Sequence, residues 1–293
     1  DPDKIIKAGL SIAREAADSY GAFVALDLGP TGKLLKPMGD LSFEDAYELY
    51  KQQILAGKDL ADLVLLETMG DLYEIKAALL AAKENCDLPV AVTMIFSENE
   101  RLLTGADAKT AVLTVEALGA DAIGVNCGFG PTQMVPILQE MARYTKLPLI
   151  ANPNAGLPQV INGQTIYTVS AEEFANQMKD IVQAGAVMIG GCCGTSPDYI
   201  AAEISACQNL PLAGRTVAPV TAVTSYAKTV TFDQIPVLIG ERINPTGKKL
   251  FKEALRAHDM NYILNEGITQ EEAGAQILDV NVGLPDIDET AMM

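Results

Sequence analysis

The chain has 293 residues, 49% of them hydrophobic, and 21 Lys and Arg against 38 Asp and Glu give a formal net charge of −17. The apolar share is enough for one large domain or two small ones. The acidic surplus repels phosphate backbones and anionic headgroups, which argues against nucleic-acid and membrane partners. No apolar run reaches the roughly 20 residues of a spanning helix, and the first residues lack the apolar core of a signal peptide. Five cysteines, an odd number in a long chain, do not make a secreted disulfide framework. A cytoplasmic protein with free thiols is the expectation.

In chain order, short apolar runs alternate with amphipathic segments. Residues 22–28 predict a first strand, and 42–58 a helix with Ser42 as N-cap and Asp45 at the capping-box position. Strands follow at 62–68, 88–96, 120–127, 147–152 and 186–191, and helices at 71–84, 107–118, 132–144, 171–184 and 197–208. The runs are rich in Val, Ile, Leu and Ala with little polar alternation, as strands buried on both faces of a parallel sheet are. Six strand–helix units are visible, where a (β/α)8 barrel of the TIM type needs eight. An open doubly wound sheet is the alternative, although no G-x-G-x-x-G follows the first strand to support its dinucleotide-binding form. Residues 209–235, rich in Thr, Ala and Pro, read as a linker. Residues 236–293 then predict a strand at 237–241, a helix over 251–266 and a strand at 276–282, the beginning of a second αβ barrel.

Three cysteines stand out by position. Cys127 ends one predicted strand, and Cys192 and Cys193 end another. The C-terminal strand ends of αβ barrels hold their active sites, so residues distant in sequence converge there. Three thiolates and one open position suit a tetrahedral zinc that accepts a substrate ligand. Plain buried cysteines or a strained vicinal disulfide are the competing readings. Cys86 and Cys207, late in helices, read as ordinary core thiols, and His258, the sole histidine, as a surface residue.

GVNCG at 124–128 and GGCCGT at 190–195 resemble the zinc signature of the homocysteine S-methyltransferase family. The similarity extends through DLGPTG (27–32), LLET (65–68), LTG (103–105) and NPNAG (152–156), and covers residues 1–208. GERINPTG (240–247) and ILDVNVG (277–283) resemble the start of the pterin-binding barrel in the cobalamin-dependent methionine synthase branch. The D-G-A-x-G-T and T-N-T-F motifs of the family's first two strands have no counterpart, so the chain is expected to enter the pattern at the helix before the third strand.

The resemblance implies a zinc held by Cys127, Cys192 and Cys193. It implies methyl transfer to homocysteine giving methionine, with methylcobalamin on a separate cobalamin-binding domain or protein as immediate donor and methyltetrahydrofolate as ultimate donor. Glu67 is expected to meet the substrate ammonium, and Gly29 and Thr31 in a tight turn its carboxylate. Asn126 is expected beside the metal, with Asn154 at the open position or capping its loop. Glu241, Asn244, Asp279 and Asn281 match the pterin-lining positions. A cobalamin-independent homocysteine methyltransferase and a non-catalytic zinc module docking a corrinoid protein are the alternatives.

Overall fold

A computed structural model describes residues 2–161, 163–217, 219–233 and 236–293. Asp1 and Asn162 of the expected first domain, and Ala218, Gln234 and Ile235 of the expected linker, lie outside the described residues. The chain divides into two compact units: 1–219 with 224–229, and 220–223 with 230–293.

The first unit opens with α1 (Pro2–Asp18) and β1 (Ala25–Leu28), then α2 (Phe43–Gly57), β2 (Leu63–Met69), α3 (Leu72–Asn85) and β3 (Val90–Met94). It continues through α4 (Ala108–Ala117), β4 (Ala122–Asn126), α5 (Pro131–Ala142) and β5 (Leu149–Asn152). A hairpin, β6 (Gln159–Ile161) and β7 (Gln164–Ile166), precedes α6 (Ala171–Gln183), β8 (Ala186–Ile189) and α7 (Pro197–Cys207). Six of these strands form one sheet in the order β1-β2-β3-β4-β5-β8, every pairing parallel. Its central strands β3 and β4 are buried at every position, which explains why they read as unbroken apolar runs.

One sheet face packs under the helices, where Leu26, Leu66, Val92 and Val125 meet Ile54, Leu79, Val112 and Leu138. The opposite face carries a smaller cluster of Ala91, Ala122 and Ile150 with Leu63 and Leu65. Ser42, Asp71, Asp107 and Ser170 each accept a backbone N–H at the head of a helix, so the helix starts are fixed by the chemistry legible in the sequence. The strands therefore all run one way and deliver their C-terminal residues to one end of the sheet.

β9 (Ala222–Thr224) and β10 (Thr229–Thr231) form a short two-stranded sheet. The second unit holds β11 (Ile239–Ile243), α8 (Lys249–Ala257), α9 (Met260–Glu272), β12 (Ile277–Val280) and α10 (Glu289–Met292), with β11 and β12 paired in parallel. The single helix expected over 251–266 is corrected here to two. His258 takes a left-handed conformation (φ 51°, ψ 38°) that ends α8, and the Asp259 side chain accepts from Tyr262 N to start α9. Among the described residues no helix is long and apolar enough to cross a membrane.

Candidate metal centre and substrate groove

Cys127 follows directly on β4, and its N–H donates to the Asn152 carbonyl at the end of β5 (3.0 Å). Cys192 and Cys193 lie three and four residues past β8, tied to the β5 loop by Cys192 N→Pro153 O (2.8 Å) and Ala155 N→Cys193 O (2.9 Å). Backbone bonds across neighbouring strand ends thus bring the three thiols together. Cys127 Sγ lies 3.8 Å from Cys193 Sγ, which lies 3.9 Å from Cys192 Sγ, and all three are within 4.8 Å of one another. Cys127 sits at φ 59°, a left-handed position that costs a non-glycine residue energy and that functional sites tend to retain. Gly194 follows the pair at φ 81°, where a Cβ would run into the Tyr167 ring. Its bare Cα lets the loop turn beneath that ring.

The thiols respond to one another. A hydrogen bond from Cys192 is the largest cause pulling the Cys127 thiol down to about 5; burial opposes it, and Gly128 N–H, Cys193 and Asn154 assist. Cys192, giving that bond beside a forming thiolate, is pushed far up. Without a counter-ion the cluster accepts one negative charge readily and resists a second. A cation shared by the sulfurs removes that resistance.

Asn126 and Asn154 are buried behind the cluster, 0% and 2% exposed. Asn126 Oδ1 accepts from Thr68 N (2.8 Å), while its Nδ2 donates to Thr68 Oγ1 (2.7 Å) and reaches Cys192 Sγ at 4.0 Å. Asn154 Oδ1 accepts from Cys193 N (3.1 Å). Both amides thus orient the cysteine loops. Thr68 itself lies at φ 59°, where the β2–β3 register slips between Leu66 and Met69, an irregularity that re-aims neighbouring side chains.

Glu67, within this slip, faces Asp27 of β1. Burial is the largest cause lifting the Glu67 carboxyl to about 7, followed by the charge and hydrogen bond of Asp27 and the charge of Cys127. Burial also lifts Asp27 above the ordinary carboxylate range. Two crowded acids near the thiols favour a neighbouring positive charge, which relieves their mutual repulsion. Asp27 lies in a motif quoted from the sequence, but its pairing with Glu67 needs the β1–β2 register to be seen.

The turn containing Gly29 and Thr31 is anchored from below. Thr31 N donates to Glu74 Oε1 (2.7 Å), and the Tyr50 hydroxyl, with one proton to give, lies within bonding distance of both Glu74 Oε1 (3.0 Å) and the Gly29 carbonyl (3.2 Å). The Thr31 amide expected to face a substrate carboxylate is therefore already engaged. Beside the turn runs a groove of about 500 Å³ with Pro30, Leu34, Ile95, Phe96 and Leu103 as apolar wall and Thr68, Asp71, Glu74 and Ser97 as polar lining. Thr68 joins this groove to Asn126 and hence to the cysteines.

In the second unit the four residues singled out from the sequence gather at the C-terminal ends of β11 and β12. Asn244 Nδ2 donates to Glu241 Oε1 (2.5 Å) and its Oδ1 accepts from Thr246 N (2.9 Å). Asn281 N donates to the Ile243 carbonyl (2.8 Å), and Asn281 Oδ1 accepts from Gly283 N (2.8 Å). Glu241, Asp279 and Asn281 are exposed. Cys86 and Cys207 sit apart from the metal-ligand group, Cys207 buried in the core and Cys86 packed at its edge.

The sequence profile described as homocysteine S-methyltransferase matches residues 2–207. Methionine synthase of Mycobacterium leprae is 33% identical over 94% of this chain and 24% of its own length. That of Mycobacterium tuberculosis is 32% identical over 97% of this chain and 25% of its own. The chain thus spans about a quarter of these relatives. Among solved structures, the apo form of the homocysteine methyltransferase MmuM from Escherichia coli superposes with a TM-score of 0.59 at 25% identity, over 70% of this chain and 74% of that one. Its metallated form gives the same score at 24% identity, over 69% and 70%. On the profile match the chain belongs to the homocysteine S-methyltransferase family, a family of methyltransferases.

Proposed function

We propose that the first unit contributes six of the eight units of a (β/α)8 barrel that binds zinc through Cys127, Cys192 and Cys193 and transfers a methyl group to homocysteine, giving methionine. The observation that carries this reading is the spacing of the three sulfurs. A tetrahedral zinc with Zn–S bonds of about 2.3 Å has S···S edges of about 3.8 Å, and the two measured edges are 3.8 and 3.9 Å. Bound there, zinc lowers the pKa of the homocysteine thiol and leaves its sulfur a nucleophilic thiolate at neutral pH.

The chain's own residues do the rest. Asn126 and Asn154 hold the cysteine loops so that the sulfurs share one centre. Glu67 and Asp27 receive the substrate ammonium. Gly29 and Thr31 face its carboxylate from a turn in which the Thr31 amide is held by Glu74 and the Thr31 hydroxyl bonds the Lys33 backbone.

Methylcobalamin, carried on another domain or protein, is the immediate donor, and methyltetrahydrofolate the ultimate one. In this reading residues 1–208 form the homocysteine barrel, 209–235 the linker and 236–293 the start of a pterin-binding barrel with Glu241, Asn244, Asp279 and Asn281 at its site. The methionine synthase alignment covers 94% of the chain, beyond the 2–207 profile match, which supports a second domain after the first. The test is homocysteine-dependent demethylation of methylcobalamin by the zinc-loaded chain. Zinc binding without demethylation favours the docking-module alternative, and demethylation that is indifferent to zinc removal overturns the metal assignment.

A further inference from the structure

Tyr167 lies one residue past β7, at the foot of the exposed hairpin, and packs on the cysteine loop. Its Cβ, Cγ and Cδ2 fill the space that a Cβ on Gly194 would need. The base of the ring therefore rests on the bare Cα that directly follows Cys193. Gly194 also holds φ 81°, and only glycine supplies that backbone and that gap together.

The segment that carries Tyr167 is itself fixed. Val169 N donates to the Ala155 carbonyl (3.2 Å), and the Val169 carbonyl accepts from the Tyr199 hydroxyl of α7 (2.7 Å). A Cβ on Gly156 would strike the Val169 side chain, so this segment and the β5 loop are in close contact. The same loop grips the cysteines: Ala155 N donates to the Cys193 carbonyl (2.9 Å), and Asn154 Oδ1 accepts from Cys193 N (3.1 Å). Past the pair, Thr195 N and Thr195 Oγ1 both donate to the Cys192 carbonyl (3.2 and 2.7 Å). Gly194, between these ties, has no backbone hydrogen bond among the described residues. Glycine is also the residue with the most freedom to move. The Tyr167 ring occupies the space into which it would otherwise relax.

We propose that Tyr167 is a positioning residue for the metal centre: its ring wedges Gly194 and so sets where the Cys193 sulfur stands against those of Cys127 and Cys192. Cys193 is the exposed member of the three, while the other two are half-buried. It therefore has the least packing of its own and depends most on its backbone. The consequence for zinc rests on the function proposed above; the wedge itself does not.

The test uses the full chain with Tyr167→Phe, Tyr167→Ala, Gly194→Ala and the double variant Tyr167→Ala with Gly194→Ala. Zinc affinity is read by competition with a chromophoric chelator. The cobalt(II)-loaded chain is read by its visible spectrum, whose sulfur-to-metal and ligand-field bands report the thiolate geometry. Tyr167→Phe keeps the ring and is expected to match wild type in both. Tyr167→Ala is expected to weaken zinc binding roughly 10- to 100-fold, as loss of an outer support of a metal site does, and to shift the cobalt bands. Gly194→Ala should cost more zinc affinity with Tyr167 present than in the Tyr167→Ala background, where its new Cβ no longer meets the ring. Wild-type zinc affinity and cobalt bands in Tyr167→Ala overturn the proposal, as does a Gly194→Ala loss that is equal in both backgrounds. A wild-type chain that binds no zinc refutes the metal assignment instead. Amide exchange at residues 192–195 then decides the wedge: faster exchange in Tyr167→Ala and not in Tyr167→Phe sustains it, and unchanged exchange in both overturns it.

Discussion

At the residue scale the cysteines divide into two chemical populations. Cys127, Cys192 and Cys193 converge at strand ends, whereas Cys86 and Cys207 belong to the core. Replacing any of the first three with Ser is expected to cost most of the bound zinc, because it takes one of three thiolates from the site. Cys86→Ser and Cys207→Ser should retain it; full metal retention in Cys193→Ser, measured by elemental analysis, would overturn the assignment. Glu67→Gln should weaken homocysteine binding several-fold, roughly the loss of one charge-assisted hydrogen bond, and keep the metal. Normal homocysteine affinity in that variant, measured by calorimetry, would remove Glu67 from the ammonium site. A third residue acts on stability alone. Glu203 of α7 is 2% exposed with Oε1 unpartnered among the described residues, and burial lifts its carboxyl from 4.5 to about 7. The folded state holds this proton more tightly than the unfolded state, so the folded state loses stability as pH rises from 4.5 towards 7. The neutral isostere Glu203→Gln should therefore match wild type near pH 4.5 and exceed it at pH 8, by no more than about 3 kcal/mol. Urea midpoints at both pH values read this, and an equal gap at the two would sink it.

At the scale of elements, the break between α8 and α9 offers a direct test of local backbone chemistry. His258 holds φ 51° between them, a conformation that costs an L-residue about 1–2 kcal/mol and glycine little. His258→Gly should stabilise α8 and α9 by roughly 0.5–1 kcal/mol after glycine's extra chain entropy is counted, seen as slower amide exchange in both. His258→Ala should not, and slower exchange with alanine would refute the backbone explanation. The same residue shows where the sequence was opaque. Apolar positions run on helical spacing through 251–266, so periodicity alone predicts one helix, and nothing in a histidine announces a left-handed turn. The six strands of the main sheet were legible because burial on both faces leaves long Val, Ile, Leu and Ala runs with no competing period. The hairpin Gln159–Ile161 with Gln164–Ile166 was not, since Gln159, Val160 and residues 164–166 are exposed and it supplies no long apolar run. The cysteine cluster was visible as strand-end chemistry. The Asp27–Glu67 pair was hidden because the register of β1 against β2 brings those residues together, and register is not written in local composition.

At the scale of the whole molecule, the question is which of two implied ligands this 293-residue chain can hold. The first unit has a six-stranded parallel sheet with helices over one face and a layered apolar core, enough scaffold to fix three sulfurs within 4.8 Å. The second unit has one parallel pair, β11 and β12, and a core cluster of six buried residues. A ligand site at a barrel mouth draws side chains from several strand ends around a closed ring, and two strands supply only one side of such a ring. The four residues that match the pterin site satisfy one another or face solvent: Asn244 spends its amide on Glu241, Asn281 turns its side chain to Gly283 N, and Asp279 is exposed. Among the described residues of this unit no opposite wall desolvates them, so a pterin edge offered here competes with water on equal terms. Titration of this chain with methyltetrahydrofolate is accordingly expected to give no saturable heat up to millimolar concentration, while homocysteine binds the same zinc-loaded sample. Micromolar folate affinity would show that two strands suffice or that the folate site lies elsewhere; Asp279→Ala and Asn281→Ala separate these outcomes, since only a site on β12 loses affinity when they are changed.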